Sequence, residues 1–164
     1  MPEANEFIDL LNHHQNIIHK VCNMYMNDIF EREDLFQEIT LQAWNAYRSF
    51  RNESKFSTWL YRVALNTAIS FYRKQKRKPS FQSAAQLPEY TEEADNTEEQ
   101  MQAMYKAIAS LSKIDKALIM LYLEDYSYEE IGSMLGITAN NVAVKMNRIK
   151  TKLKEESKKH YQFS

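Results

Sequence analysis

Apolar residues recur every three to four positions through the first half of the chain, which is the spacing of amphipathic α-helices. This pattern predicts four helices, over residues 5–12, 13–27, 31–50 and 55–78. One apolar face of the third helix is formed by Phe36, Ile39, Ala43, Ala46 and Phe50. The buried arc of the fourth helix is formed by Leu60, Ala64, Leu65, Ala68, Phe71 and Tyr72.

The second half contains both glycines of the chain, in the stretch SYEEIGSMLGIT. Ser127 and Glu130 have the spacing of a capping box, which predicts that a short helix begins there. Gly136 suits the left-handed position that follows the end of such a helix. Gly132 lies within the helix, where glycine costs about 1 kcal/mol relative to alanine. This placement indicates that another helix crosses too closely for a larger side chain.

A further helix is predicted from Thr138 to beyond Leu153, with buried positions at Val142, Met146 and Ile149 as well as Leu153. A short helix, a glycine turn and a crossing helix form a helix-turn-helix, whose second helix enters the DNA major groove. An αα-hairpin that binds no DNA is the alternative. The rest of this small domain is expected to be packed by Leu111, Leu118, Met120, Leu121 and Leu123.

Composition indicates an all-α fold, because the 164 residues include two glycines and three prolines, too few for a sheet with many tight turns. Pro79 and Pro88 frame a stretch without periodicity, which we interpret as a linker. The predicted organisation is two small helical domains joined by a flexible acidic linker. They are a helical bundle over 1–76, the linker over 77–97 and a helix-turn-helix domain over 98–164.

The N-terminal residues, MPEANEFIDLLNHH, lack the basic and apolar regions of a signal peptide. No apolar run approaches the roughly 18 residues that cross a bilayer. Cys22 is the single cysteine, which excludes an internal disulfide framework and suits a reducing compartment. We therefore expect a soluble cytoplasmic protein.

The net charge of −1 conceals a segregation of charge along the chain. Residues 1–38 carry eight acids and two bases, and residues 88–101 carry six acids and no base. In contrast, residues 71–78 carry five bases, and residues 138–159 carry seven bases and two acids. Two basic zones separated by an acidic stretch indicate two surfaces for a polyanion, the alternative being solvated helix faces.

The polar face of the third helix includes one apolar side chain, Leu41, near the carboxylates of Asp34 and Glu38. A lone exposed leucine usually has no function. Flanked by carboxylates on a regular helix, Leu41 can instead anchor a partner surface. The same face also carries Asn45 and Arg48.

A second polar stripe follows the fourth helix and consists of Trp59, Arg62, Asn66, Ser70 and Arg73. This combination suits single-stranded nucleic acid, because an aromatic ring stacks on a base, guanidinium groups meet phosphates, and an amide or hydroxyl bonds a base edge. The alternative is that Trp59 belongs to the core and that the other four residues form a solvated face.

The exposed side of the last helix suits duplex DNA. Asparagine can bond adenine, arginine can bond guanine, and valine can pack against the methyl group of thymine. Lysines at the edges of this side suit phosphates. The residues are Asn140, Val144, Asn147, Arg148 and Thr151, with Lys145, Lys150 and Lys152 at the edges.

The sequence gives little support for a catalytic site or a metal site. His19 and Cys22 have a helical spacing of three residues, but two ligands do not make a tetrahedral metal site. The sequence has no glycine-rich phosphate loop and no recognisable pairing of a nucleophile with a base. We therefore expect a protein that is not an enzyme, with no catalytic residue, metal or cofactor.

From about residue 6 to residue 155, the chain resembles the bacterial RNA polymerase sigma factors of the small, two-domain extracytoplasmic-function (ECF) class of the sigma-70 family. The most specific stretches are EDLFQEITLQAW over 33–44, FSTWLYRVALNTA over 56–68 and SYEEIGSMLGI over 127–137. Each half alone is ambiguous, since many regulators carry a helix-turn-helix. The resemblance rests on their combination in this order.

This resemblance implies a function in promoter-specific transcription initiation. Core RNA polymerase would be bound through the clamp helices of its largest subunit and its flap region, and the acidic linker would thread polymerase channels. The clamp helices would meet Asp34, Gln37, Glu38 and Leu41. The −10 element would be melted and captured by the Trp59–Arg73 stripe with the loop from about Tyr47 to Thr58. The −35 element would be recognised by Asn140, Ala143, Val144, Lys145, Asn147 and Arg148.

The chain departs from the family pattern at three of these positions. Ala143 and Val144 stand where a basic residue and a serine are common, so −35 recognition is expected to depend more on methyl contacts. Ser70 stands where aspartate or asparagine is common. An anti-sigma factor is a further possible partner. The competing interpretation is a stand-alone helix-turn-helix regulator, which would bind duplex DNA tightly without polymerase.

Overall fold

The computed structural model of the chain describes residues 2–75, 103–104 and 106–161, with the backbone alone for residues 2, 72–75, 157 and 159–161. The chain divides into two compact units, residues 1–87 and 88–164. The predicted linker over 77–97, and with it both domain boundaries that the sequence predicts, lies outside the described residues.

Four helices form the described part of the first unit: α1 (Pro2–His13), α2 (Gln15–Tyr25), α3 (Ile29–Tyr47) and α4 (Phe56–Gln75). The break between α1 and α2 falls at His14, close to the break predicted near Asn12, and the His14 ring nitrogen Nδ1 hydrogen-bonds the Leu10 carbonyl at 2.8 Å. Asp28 caps α3 by accepting from the Phe30 N–H at 3.1 Å. The cap places the start of α3 two residues before the predicted one.

The core of the first unit lies where α2, α3 and α4 pack together. Ile18, Leu35, Ile39 and Leu60 are fully buried there. The predicted apolar face of α3 is therefore wrong in two respects, because Leu35 and not Phe36 occupies the centre of the core, and Phe50 lies beyond the end of the helix. Phe36 lies at the edge of the face, where its ring stacks on His19 with centroids 4.9 Å apart.

In the second unit, residues 106–109 are helical and precede α5 (Lys113–Leu123), α6 (Tyr128–Leu135) and α7 (Ala139–Tyr161). The predicted capping box is confirmed: Ser127 Oγ accepts from the Glu130 N–H, and Glu130 Oε1 accepts from the Ser127 N–H, both at 3.1 Å. Gly136 ends α6 with φ of 76°, which confirms the predicted left-handed position.

Gly132 is buried within α6 and has a close backbone neighbour. A Cβ atom at this position would lie 2.5 Å from the Ile137 carbonyl oxygen and 3.4 Å from the Ala139 nitrogen. The Gly132 carbonyl oxygen accepts from the N–H groups of Gly136 and Ile137, at 2.8 and 2.9 Å. The glycine thus lets the turn fold back tightly onto α6, and its nearest neighbour is this turn and not the body of the crossing helix.

The second unit is held together by contacts of α7 with α6 and α5. Val142, Met146, Ile149 and Leu153 are all buried, as the spacing predicts. Leu123 is an incorrect core prediction: its side chain is 61% exposed, because it lies in the last turn of α5 just before the chain leaves the helix.

The residues that the structure describes contain helices and turns and no strand. Within this part of the chain, no helix combines the length and the apolar character that a membrane crossing requires.

Candidate functional site

The outer face of α3 presents acids and one apolar side chain to solvent. Asp34, Gln37 and Leu41 are exposed, and Leu41 retains 51% of its accessible surface. Glu38 is half-buried, and its Oε1 accepts from the Gln42 side-chain amide at 3.1 Å. The structure therefore brings the four residues assigned to polymerase binding onto one accessible surface, which we call the α3 face (Asp34, Gln37, Glu38 and Leu41).

A groove between α1 and α3 adjoins the α3 face and has a volume of about 470 Å³. Leu41 lies in its wall together with Ile8 and Trp44, which are 51% and 39% exposed. The sequence pattern did not connect α1 with this surface, although the tryptophan three residues after Leu41 is a visible apolar signal on the same helix. The lining residues are Ala4, Phe7, Ile8, Phe36, Gln37, Thr40, Leu41 and Trp44.

The polar stripe of α4 is accessible over most of its length. Arg62, Asn66 and Ser70 are exposed at successive turns of one side of the helix. Arg73 lies in the last turns of α4, but its side chain is outside the described part. Three of the five predicted residues therefore share an exposed line, and Trp59 at its start has a different environment.

Trp59 is half-buried in an aromatic cluster at the junction of α3 and α4. Its ring centroid lies 6.2 Å from that of Tyr47, 5.2 Å from that of Phe50 and 5.4 Å from that of Phe56. Aromatic pairs at these separations stabilise each other. The indole is thus fixed by its neighbours while part of its surface stays accessible.

The loop between α3 and α4 lies directly against this cluster. Residues 51–55 are all exposed, and Asn52 has a positive φ of 58°. Phe50 is half-buried and attaches the loop to Trp59 and Phe56. The arrangement gives a polar, exposed loop beside a rigid aromatic wall.

The outer side of α7 carries the residues assigned to duplex DNA. Asn140, Asn147 and Arg148 are exposed, and Val144 retains 50% of its accessible surface. Ala143 and Lys145 flank this side and are half-buried. The Thr138 hydroxyl accepts from the Asn141 N–H at 3.1 Å and holds the first turn of α7.

A lysine near the middle of α7 makes contacts that the sequence did not indicate. Lys150 Nζ donates to the Tyr128 hydroxyl at 3.4 Å and lies 4.5 Å from the centroid of the Tyr122 ring. The neighbouring hydroxyl groups of Tyr122 and Tyr128 raise the pKa of Lys150. We call this group the Lys150 cluster (Lys150, Tyr122 and Tyr128).

The residues considered for metal binding lie in unrelated surroundings. Cys22 is buried in the first unit, and burial raises the pKa of its thiol to about 11. His19 is exposed and stacks on Phe36. In the described ranges, no group of three or more His, Cys, Asp or Glu side chains has the geometry to hold a metal ion.

Comparison with known families identifies both halves of the chain. The family model described as Sigma-70 region 2 matches residues 10–78. The family model described as Sigma-70, region 4 matches residues 101–153. The first match includes the α3 face and the stripe of α4, and the second includes the helix-turn-helix.

Curated relatives match most of the length of this chain. The ECF RNA polymerase sigma factor SigW of Bacillus subtilis is 27% identical in an alignment 175 positions long that covers 94% of this chain and 90% of that protein. The ECF RNA polymerase sigma-E factor of Escherichia coli is 31% identical over 146 residues, covering 79% and 76%. The sigma-E factor of Salmonella typhimurium has the same identity and coverage.

A solved structure has the same fold. It is the co-crystal structure of the sigma factor RpoE in complex with the anti-sigma factor NepR from Bartonella quintana, with a TM-score of 0.72 and 21% sequence identity. The match covers 93% of this chain and 97% of that one. The all-α fold that the sequence predicts is thereby confirmed. With two sigma-70 regions in order and a relative that is 31% identical over 79% of this chain, the chain belongs to the ECF RNA polymerase sigma factors of the sigma-70 family, alternative sigma factors that direct transcription from promoters.

Proposed function

We propose that this sigma factor binds core RNA polymerase through the α3 face and the adjoining groove. An exposed leucine in the wall of a 470 Å³ apolar groove, with Asp34 and Glu38 on the same face of α3, suits a helix that presents apolar and basic side chains. Apolar burial at the centre and charge pairs at the rim are the usual division of an interface. The clamp helices of the largest polymerase subunit are the proposed partner, and its flap region is the proposed contact of the second unit.

We propose that the stripe of α4 captures the melted strand of the −10 element. Asn66 and Ser70 offer exposed hydrogen-bonding groups, and Arg62 supplies a charge for a phosphate. Trp59 acts as a fixed wall beside the exposed loop over residues 51–55, so that an extruded base has one aromatic surface to stack on. In the sequence, Arg73 follows Ser70 by three residues and so continues the helical spacing of the stripe.

We propose that α7 recognises the −35 element in the major groove. Asn140, Asn147 and Arg148 have exposed donors and acceptors for base edges, and Val144 offers an apolar surface. Ala143 and Lys145 bound this surface on its two sides. The observation that carries the whole proposal is the presence, in sigma-70 order, of the α3 face, the exposed α4 stripe and the helix-turn-helix.

Regulation and location complete the proposal. We propose that the protein acts in the cytoplasm, catalyses no reaction itself and is held inactive by an anti-sigma factor until it is needed. The solved relative in complex with an anti-sigma factor supports the last point.

Run-off transcription with core polymerase and genomic promoter fragments tests the proposed function. We expect promoter-selective transcripts when the purified protein is added and none with core polymerase alone. A duplex-binding assay without polymerase supplies the contrast, because a stand-alone regulator would bind promoter fragments tightly in that assay. Tight duplex binding without any stimulation of transcription would overturn the proposal.

A further inference from the structure

The Lys150 cluster joins three helices of the second unit at one point on the surface. Tyr122 lies in the last turn of α5, Tyr128 is the first residue of α6, and Lys150 is on α7. The two rings are 6.3 Å apart between centroids, and the ammonium group lies over the Tyr122 ring and contacts the Tyr128 hydroxyl. Such a lysine is restricted before any ligand arrives, which reduces the conformational entropy that binding costs.

The polar groups of the cluster are suited to an anion. Lys150 is a cation with three N–H groups, and its contact with Tyr128 uses one of them. In that contact the tyrosine oxygen is the acceptor, so the hydroxyl proton of Tyr128 can be donated to another group. Glu130, the acid of the α6 capping box, accepts from the N–H of Ser127.

The cluster also lies at a defined place relative to the surface proposed for DNA. Lys150 follows Asn147 by three residues, so it borders the exposed side of α7. When the second helix of a helix-turn-helix enters the major groove, the first helix crosses the sugar-phosphate backbone. Tyr128 opens that first helix. The cluster therefore faces the edge of the groove, where backbone phosphates are the available anions.

We propose that Lys150, Tyr128 and Tyr122 form a preformed site for one phosphodiester group of the DNA backbone at the edge of the −35 element. The ammonium of Lys150 and the hydroxyl of Tyr128 donate to the phosphate oxygens, while the Tyr122 ring holds the lysine in place. The site fixes the register of α7 on the duplex without reading a base. This inference rests on the proposed function of α7.

The test uses the full-length protein assembled with core polymerase on a promoter fragment that the wild type transcribes. Binding is measured at a series of salt concentrations for wild type, Lys150→Met, Tyr128→Phe and the control Lys158→Met, an exposed lysine two turns further along α7. Loss of one phosphate contact lowers the slope of log K against log salt by about one unit, which we expect for Lys150→Met. Tyr128→Phe keeps the charge, so we expect the wild-type slope with an affinity about twofold to tenfold lower. The control is expected to match the wild type.

Thermal unfolding of each variant separates a binding site from a packing contact. Methionine keeps the aliphatic stem of Lys150, and phenylalanine keeps the ring of Tyr128, so both proteins are expected to fold. If Lys150→Met lowers the unfolding midpoint but leaves the salt slope unchanged, the cluster is a packing contact and the inference is wrong. Should Lys150→Met fail to fold, an unchanged affinity of Tyr128→Phe would overturn it. Absence of promoter-selective transcription by the wild type would instead contradict the proposed function.

Discussion

At Gly136 the effect of the backbone conformation on stability can be measured without a change in packing. Its φ is 76°, and a Cβ atom there would meet no heavy atom within 4 Å. For Gly136→Ala we therefore expect a loss of unfolding free energy of about 1–2 kcal/mol, caused by the left-handed backbone alone. Gly136→Asn is the matched variant, and its loss should be smaller because asparagine tolerates this region. Urea denaturation followed by circular dichroism measures both, and equal losses would contradict the explanation.

Val144 gives the proposed −35 surface an apolar side chain. It is half exposed between polar neighbours, and the methyl group of thymine is the apolar feature that the major groove offers. Replacing the contacted thymine by deoxyuridine removes that methyl group alone. We expect the wild type in complex with polymerase to bind the deoxyuridine promoter about fourfold more weakly, the equivalent of one buried methyl group.

Val144→Ala should reduce this difference between the two promoters, because the methyl group of thymine then has a smaller apolar partner. Arg148→Ala is the matched control: it should weaken binding to both promoters and preserve the difference between them. Competition binding with promoters from a randomised −35 selection measures these ratios. A wild-type protein that binds both promoters equally would show that Val144 does not contact thymine.

At the scale of single residues, the sequence predicts burial well where helical spacing alone decides it. Val142 and Ile149 are of this kind, because α7 packs one continuous side against its neighbours. Leu123 is predicted wrongly because its exposure depends on where the chain leaves α5. The contact of Lys150 with Tyr128 joins residues 22 positions apart, and no local pattern of the sequence indicates it.

At the scale of helices, the ends of α6 are predictable because their chemistry is local. A serine with a glutamate three residues later forms both capping-box hydrogen bonds, and a glycine terminates the helix. The ends of α3 are predicted less accurately: the helix covers Ile29–Tyr47 instead of 31–50. Asp28 is a readable cap, but the apolar residues after it, Ile29 and Phe30, are 63% and 72% exposed and do not follow the core periodicity. Periodicity therefore places the helix, and capping determines where it begins.

The proposed role of α3 in polymerase binding can be tested by substitutions on the α3 face. Asp34→Lys and Glu38→Lys together with Leu41→Ala change its exposed side and leave the buried Leu35 and Ile39 intact. We expect the helical content to be unchanged and the affinity for core polymerase to fall at least tenfold, because hot-spot truncation and charge reversal each cost more than about 1 kcal/mol.

A charge-matched control is needed because these reversals change the net charge of the protein. Glu129→Lys and Glu155→Lys reverse two exposed acids of the second unit and change the net charge equally. Affinity for core polymerase, measured by fluorescence anisotropy, should stay near the wild-type value for this control. If both variants lose affinity to the same extent, the effect arises from net charge and the α3 face is not the binding surface.

At the scale of the whole molecule, charge is distributed according to the proposed partners. Acids predominate in residues 1–38, which include most of the α3 face, and bases predominate in residues 138–159, which include α7. A strongly acidic surface repels DNA and a basic one attracts it, so the two ends of the chain are suited to different ligands. This division is visible in the sequence because it depends on composition, whereas the groove beside Leu41 depends on how α1 packs against α3 and appears only in the structure.

Asn66 is the residue on which opening of the promoter is expected to depend. Extruding a base from the duplex costs a few kcal/mol, and this cost must be offset by contacts that only the displaced strand can make. Asn66 is exposed between Arg62 and Ser70 on α4, where its amide can bond the edge of a base that stacks near Trp59. Asn66→Ala is therefore expected to leave polymerase assembly and −35 binding unchanged and to block formation of the open complex. Asn16→Ala, which truncates an exposed asparagine of α2, is the matched control and should open promoters normally.

Permanganate footprinting of unpaired thymines on linear and artificially bubbled templates distinguishes strand capture from strand separation. On the linear template, Asn66→Ala should show little reactivity in the −10 region, while the Asn16→Ala control resembles the wild type. On the bubbled template the cost of separation is already supplied, but the contact with the captured base is still missing. Transcription by Asn66→Ala should therefore recover only in part. The remaining deficit should correspond to the loss of one base contact, about 1–3 kcal/mol. Normal opening of the linear template by Asn66→Ala would place strand capture elsewhere on the protein, and full recovery on the bubble would assign Asn66 to separation instead of capture.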